Sequence, residues 1–120
     1  MVANIANKSA IVGIGSTEFS KNSGRSELSL AAEAVRAALD DAGLKASDVD
    51  GMVTFTMDQN EEVDVARALG CNDLSFFSRV PYGGGAATGT LLQAAMAVAT
   101  GMAEVVVCYR ALNGRSGQRY

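Results

Sequence analysis

Histidine and tryptophan are absent from this chain of 120 residues, proline occurs once and cysteine twice. Without histidine there is no imidazole to act as a general base near neutral pH or as a neutral nitrogen ligand to a metal. Cys71 and Cys108 do not share a short metal-ligand spacing, so no zinc site is expected from this chain alone. Charge of either sign is sparse: 10 Lys and Arg stand against 13 Asp and Glu, a net of −3. No basic block is present to replace counterions along phosphates, which argues against a nucleic-acid surface. Every long apolar stretch is broken by glycine, threonine or charge well short of the roughly 18 residues a membrane span needs. Met1 to Lys8 also lack the apolar centre of a secretory signal, so the expected compartment is the cytoplasm.

What the chain does have is 48% hydrophobic residues and 13 glycines, the composition of a globular domain. Ala10 to Ile14 is a short apolar run bounded by glycine, the pattern of a strand buried on both faces. Leu28, Ala32, Val35, Leu39 and Ala42 recur three or four apart and predict an amphipathic helix from Glu27 to Ala42, closed by Gly43. Strands are then expected over Gly51–Thr56, Leu74–Val80 and Glu104–Arg110, with a short helix over Glu61–Leu69. Pro81 ends the middle one of these strands. Gly85 to Thr100 reads as a long helix, apolar nearly all round and suited to burial in a large protein. The order βαβαβαβ implies an α/β fold with crossover helices and a mostly parallel sheet.

Two phosphate-binding patterns fail on particular residues. Gly84 to Thr90 lies between a strand and a helix as a P-loop does, but the lysine that would neutralise phosphate is missing. Gly13-Ile14-Gly15 opens like a dinucleotide fingerprint, yet Glu18 stands where a third glycine should allow close packing. Asp58, Glu61, Glu62 and Asp64 lack the ligand order of a calcium loop and read as an acidic helix start. Lys21, Arg25, Arg115 and Arg119 suit either phosphate contacts or a solvated surface. Asp48 and Asp50 flank a strand start and read as turn residues. Cys108 sits inside a strand pattern, as a buried thiol that packs like a small hydrophobe.

The run from Arg79 to Ala111, with its glycine loop, long small-residue helix, Ala99-Thr100-Gly101 and following strand, resembles the active-site segment of thiolases. Counting back from that Ala-Thr-Gly, the nucleophilic cysteine of the family falls on Gly84, its asparagine on Pro81 and its following glycine on Ala87. Together with the segments AIVGIGSTEFSKNSGRSELSLAAEAVRAALDDAGL, DVDGMVTFTMDQNEEVDVARALG, LSFFSRV and YGGGAA, the chain resembles the cysteine-less, thiolase-like aldolases of bacterial steroid side-chain degradation, once called lipid-transfer proteins.

That resemblance implies a thiolase-like fold, of which residues 1–120 would form the N-terminal part of the first half and a fragment of a longer chain. It also implies retro-aldol cleavage of a steroid side-chain β-hydroxyacyl-CoA to a steroid ketone and a short acyl-CoA such as propionyl-CoA. The missing cysteine agrees with this chemistry. A thiolase must park an acyl group on the enzyme, whereas a retro-aldol step needs only acid/base groups and donors for a developing enolate.

No catalytic residue is assigned within the chain, because the resemblance places the acid/base tyrosines beyond Tyr120. Tyr82, Gly83, Gly84 and Gly85 are the candidate substrate-binding residues. The glycines would leave room for a substituted β-carbon and expose N–H groups at the positive end of a helix; alternatively, they serve a tight turn. Tyr82 is either a hydrogen-bond donor or a packed aromatic. No metal site and no cofactor are expected beyond the coenzyme A of the substrate. The expected partners are a second copy, docked through Leu74 to Val80, and a zinc-ribbon/OB-fold domain associated with an acyl-CoA hydratase subunit. The competing reading is a noncatalytic thiolase-like scaffold or an acyl-CoA-binding subunit.

Overall fold

The first helix starts where Ser26 turns its hydroxyl to accept the Ser29 N–H at 3.1 Å, satisfying one of the free donors of the first turn. This helix, α1, spans Glu27–Ala42. It ends at Gly43, whose φ of 71° is the left-handed conformation glycine adopts without penalty, so that the Leu44 N–H reaches back to the Leu39 carbonyl at 2.9 Å. The buried face is Leu30, Ala31, Ala32, Val35 and Leu39, the expected stripe shifted toward the first turn. A single 3-10 turn, Ala46–Asp48, leads into the sheet.

The computed structural model describes residues 4–55, 60–71, 73–81 and 85–114. Among these, β1 is Gly51–Phe55, α2 Glu62–Leu69, β2 Phe76–Val80, α3 Ala86–Ala99 and β3 Val106–Cys108. The sheet order is β2-β1-β3 and both pairings are parallel, with Gly51 opposite Phe76 and Val106. As the central strand, β1 is buried at all five residues, which explains why its sequence is apolar without alternation. Side chains project to alternate faces. Met52 joins Leu30, Val35, Leu39, Val65 and Leu69 in the core under α1 and α2. On the other face, Ser78 of β2 and Cys108 of β3 make hydrogen bonds to α3.

Asp50 gathers the three strand starts. Its carboxylate accepts the Glu104 and Val105 N–H groups at 3.0 and 2.9 Å, and its carbonyl accepts Ser75 and Phe76 at 2.8 and 3.2 Å. A residue with the signature of a simple turn thus ties together both neighbours of β1.

Ala10 to Ile14 departs from expectation, since it forms no strand and Ile11, Val12 and Ile14 are 72%, 63% and 77% exposed. The segment lies against α1 through its glycines. A Cβ on Gly13 would stand 2.3 Å from the Ala38 carbonyl oxygen, and one on Gly15 2.4 Å from that of Ala34. The Ile14 N–H donates to Asp41 at 3.0 Å. Its glycines therefore serve close approach to a helix, while Ile11, Val12 and Ile14 face outward. On α3, Ala86, Thr90 and Ala97 are buried while Leu91, Leu92 and Met96 are exposed, on faces that the expectation assigns to burial within a larger protein.

Candidate functional site at the strand ends

Because the three strands are parallel, their C-terminal ends lie on one edge, where α2 and α3 also begin; ligands of open α/β sheets bind at that edge. A crevice of about 230 Å³ opens there between Phe55 at the end of β1, Cys108, Tyr109 and Arg110 at the end of β3, and Ala87, Thr90 and Leu91 in the first turns of α3. The Arg110 guanidinium stands 5.0 Å from the centre of the Phe55 ring, a cation–π contact that holds an exposed cation at the mouth. The crevice is thus apolar inside and positive at its rim, a combination that suits an acyl ester whose other end is anionic.

Gly85 is the described member of the candidate loop, and it caps α3 with φ −78° and ψ −16°. Any residue can adopt that conformation, and a Cβ added there meets nothing within 4 Å. The turn therefore does not require glycine at this position, and the missing side chain leaves open space beside the helix start. Tyr82, Gly83 and Gly84 lie outside the described residues.

Cys108 donates to the Thr90 carbonyl at 3.5 Å, and burial pushes its thiol above the ordinary value of 9.0. A buried, protonated thiol of this kind is a poor nucleophile. Cys71 is likewise raised by burial and lines a separate groove of about 510 Å³ between α2 and β2, with Val63, Leu74 and the exposed Phe77. The acidic helix start is occupied by cations. Arg79 pairs with Glu61 and Glu62, and Asp64 with Arg67. Burial works against the Arg79 charge, but the hydrogen bond and charge of Glu62, aided by Glu61 and Tyr109, hold its pKa above the usual arginine value. Of the candidate phosphate contacts, Arg25 pairs with Glu33 on α1 and Lys21 is exposed. Neither residue lines the crevice. Arg115 and Arg119 lie outside the described residues.

Sequence reading missed Phe55, Thr90, Tyr109 and Arg110 as site residues. The signal was positional: each lies at the end of a strand or within the first turns of the helix that follows one.

No family model matches the chain. The structure superposes on the Ltp2-ChsH2(DUF35) aldolase with a TM-score of 0.88 and 72% identity, covering 91% of this chain and 28% of that one. It superposes on a monomeric SCP2-thiolase like protein type 1 from Mycobacterium smegmatis with a TM-score of 0.68 and 27% identity, covering 82% of this chain and 22% of that one. The fold is thiolase-like. Among curated proteins, this thiolase-like chain is 73% identical over 111 residues to a steroid side-chain-cleaving aldolase of Thermomonospora curvata, covering 92% of this chain and 28% of the relative. It is 66% identical over 116 residues to the 17-hydroxy-3-oxo-4-pregnene-20-carboxyl-CoA lyase of Mycobacterium tuberculosis, covering 97% of this chain and 30% of the relative. The chain therefore spans less than a third of the length of the curated relatives it matches.

Proposed function

We propose that this chain is the N-terminal part of a carbon–carbon lyase that cleaves a steroid side-chain β-hydroxyacyl-CoA, and that it supplies one wall of the substrate site. The observation that carries the reading is 66–73% identity to steroid side-chain aldolases together with glycine at the position of the thiolase nucleophile, Gly84. A base supplied by the remainder of the protein takes the proton of the β-hydroxyl. The bond between the α- and β-carbons then breaks, leaving a steroid ketone and the enolate of the short acyl-CoA, and an acid protonates the enolate carbon. No electrons are exchanged with another reagent, so the step needs no cofactor beyond the coenzyme A of the substrate. In this reading Tyr82 and the backbone N–H groups of Gly83 to Gly85 are assigned to the thioester oxygen, where charge develops, and the open space at Gly85 admits the substituted β-carbon.

The outer face of α3 supports the fragment reading. A 14-residue helix without a charge, exposing Leu91, Leu92 and Met96, calls for a cover. The remainder of a chain the length of its relatives would provide one. The outer edge of β2, with Phe77 66% exposed, is the surface for a second copy. The Ltp2-ChsH2(DUF35) complex supports a partner of the ChsH2 type, with the zinc-ribbon and OB-fold domain expected from the resemblance. Among the described residues no helix is long and apolar enough to cross a membrane, and the cytoplasm is the proposed compartment.

Two measurements test this reading. The intact mass of the native gene product should lie well above that of the 120 residues. The complete protein, incubated with a 17-hydroxy steroid 20-carboxyl-CoA ester, should release the 17-ketone and propionyl-CoA in equal amounts by mass spectrometry. Binding of the ester without cleavage would make the protein a scaffold instead.

A further inference from the structure

A polar cluster stands just behind the crevice, and retro-aldol chemistry does not call on it. Asn60, Glu62 and Tyr109 are 8%, 7% and 7% exposed, and the Arg79 side chain is 28% exposed. The Arg79 Nε and Nη2 groups meet the two carboxylate oxygens of Glu62 at 3.4 and 3.5 Å, and Nη2 also donates to the Asn60 carbonyl at 3.0 Å. The Tyr109 hydroxyl donates to that same carbonyl at 3.1 Å. Glu61, largely exposed, adds a longer ion pair at 3.6 Å.

One carbonyl with two donors, one from β2 and one from just past β3, joins three pieces of chain that diverge at the edge of the sheet. Asn60 lies between β1 and α2, Arg79 is the next-to-last residue of β2, and Tyr109 directly follows β3. Tyr109 is further held by β1, since the Thr54 hydroxyl donates to its carbonyl at 3.1 Å. The planar fork of arginine reaches Glu62 and the carbonyl together, which a single ammonium does less well. A half-buried ion pair adds little net stability, because desolvation offsets most of its attraction. What it fixes is direction.

We propose that Arg79 is a positioning residue of the substrate site: oriented by Glu62, it shares the Asn60 carbonyl with Tyr109 and so sets the spacing of the three strand ends, of which those of β1 and β3 line the crevice with α3. This rests on the reading of that edge as the acyl-CoA wall. Tyr109 carries the effect directly, because it lines the crevice and contributes its hydroxyl to the cluster.

The test uses the complete protein and a 17-deoxy steroid 20-carboxyl-CoA ester, which lacks the β-hydroxyl and cannot be cleaved. Arg79→Met should weaken its binding about tenfold by calorimetry, the size of a lost charged hydrogen bond. Arg79→Lys should restore part of this, and adding Glu62→Gln to Arg79→Met should cause no further loss. Hydrogen exchange at Glu61 to Val65 should quicken about tenfold in Arg79→Met while β1 stays protected. Tyr109→Phe, which removes only one donor, should give a smaller weakening of about threefold and serves if Arg79→Met does not fold.

Affinity within about twofold of wild type in Arg79→Met and Tyr109→Phe would overturn the inference. So would a lower melting temperature with unchanged affinity, which is the signature of a structural role alone. If the wild-type protein does not bind the ester, the proposed function fails. The exchange pattern then decides on its own whether the clamp exists, and unchanged exchange at Glu61 to Val65 would dismiss it.

Discussion

Removing the Asp50 carboxylate should loosen the sheet without disturbing the site. In Asp50→Ala the main-chain bonds of residue 50 to Val105, Ser75 and Phe76 remain, but the Glu104 and Val105 N–H groups lose their acceptor. A hydrogen bond to a charged group is worth about 1.5–3 kcal/mol net. Glu104 is exposed and water can replace its partner, so most of the loss falls on the half-buried Val105. The expected cost is about 2 kcal/mol, and about 1 kcal/mol for Asp50→Asn, which keeps one acceptor oxygen. Global unfolding of a large protein is not two-state, so the suitable assay is hydrogen exchange at Val106 to Cys108, which should quicken about 30-fold in Asp50→Ala. An acceleration below about threefold would refute the assignment of these bonds as the tie. Asp50 sits at the opposite end of the sheet from the crevice, so the KM of the complete protein should not change. A raised KM would refute the placement of the site.

Burial holds the Cys108 thiol above its ordinary value, so protonation dominates at neutral pH and alkylation should accelerate only as pH rises into the alkaline range; rapid alkylation near pH 7 would refute that burial. Gly85→Val enters open space at a permissive φ, so the protein should fold while turnover falls about tenfold or more. Unchanged kinetics would remove Gly85 from the site, and Gly84→Val puts the same question to its neighbour. Leu92→Lys should quicken hydrogen exchange in α3 of the complete protein about 100-fold if the remaining chain covers that helix, and by less than about threefold if the face is open to solvent. Phe77→Glu should dissociate a dimer built on the edge of β2, as read by sedimentation; a persisting dimer would place the interface elsewhere.

Local patterns carried much of this reading. The heptad-like spacing from Leu28 to Ala42 and the left-handed Gly43 made α1 legible, because period and capping are properties of neighbouring residues. The strand expected over Gly51–Thr56 forms over Gly51–Phe55 among the described residues. The assignment of Gly84 to the nucleophile's position, by contrast, is what the resemblance to thiolases implies and not something that spacing or periodicity supplies. The run at Ala10–Ile14 misled because periodicity cannot tell a strand flanked by partners from an extended segment lying against a helix.

The sequence by itself determined the helices, their caps and the α/β alternation, since each depends on residues close in the chain. Tertiary structure alone decided that Asp50 ties three strands, that Phe55, Thr90, Tyr109 and Arg110 share one crevice, and that Arg79 and Tyr109 meet on one carbonyl. Those contacts join positions 19 to 55 residues apart, and only the parallel stacking of β2, β1 and β3 brings them to the same end of a sheet.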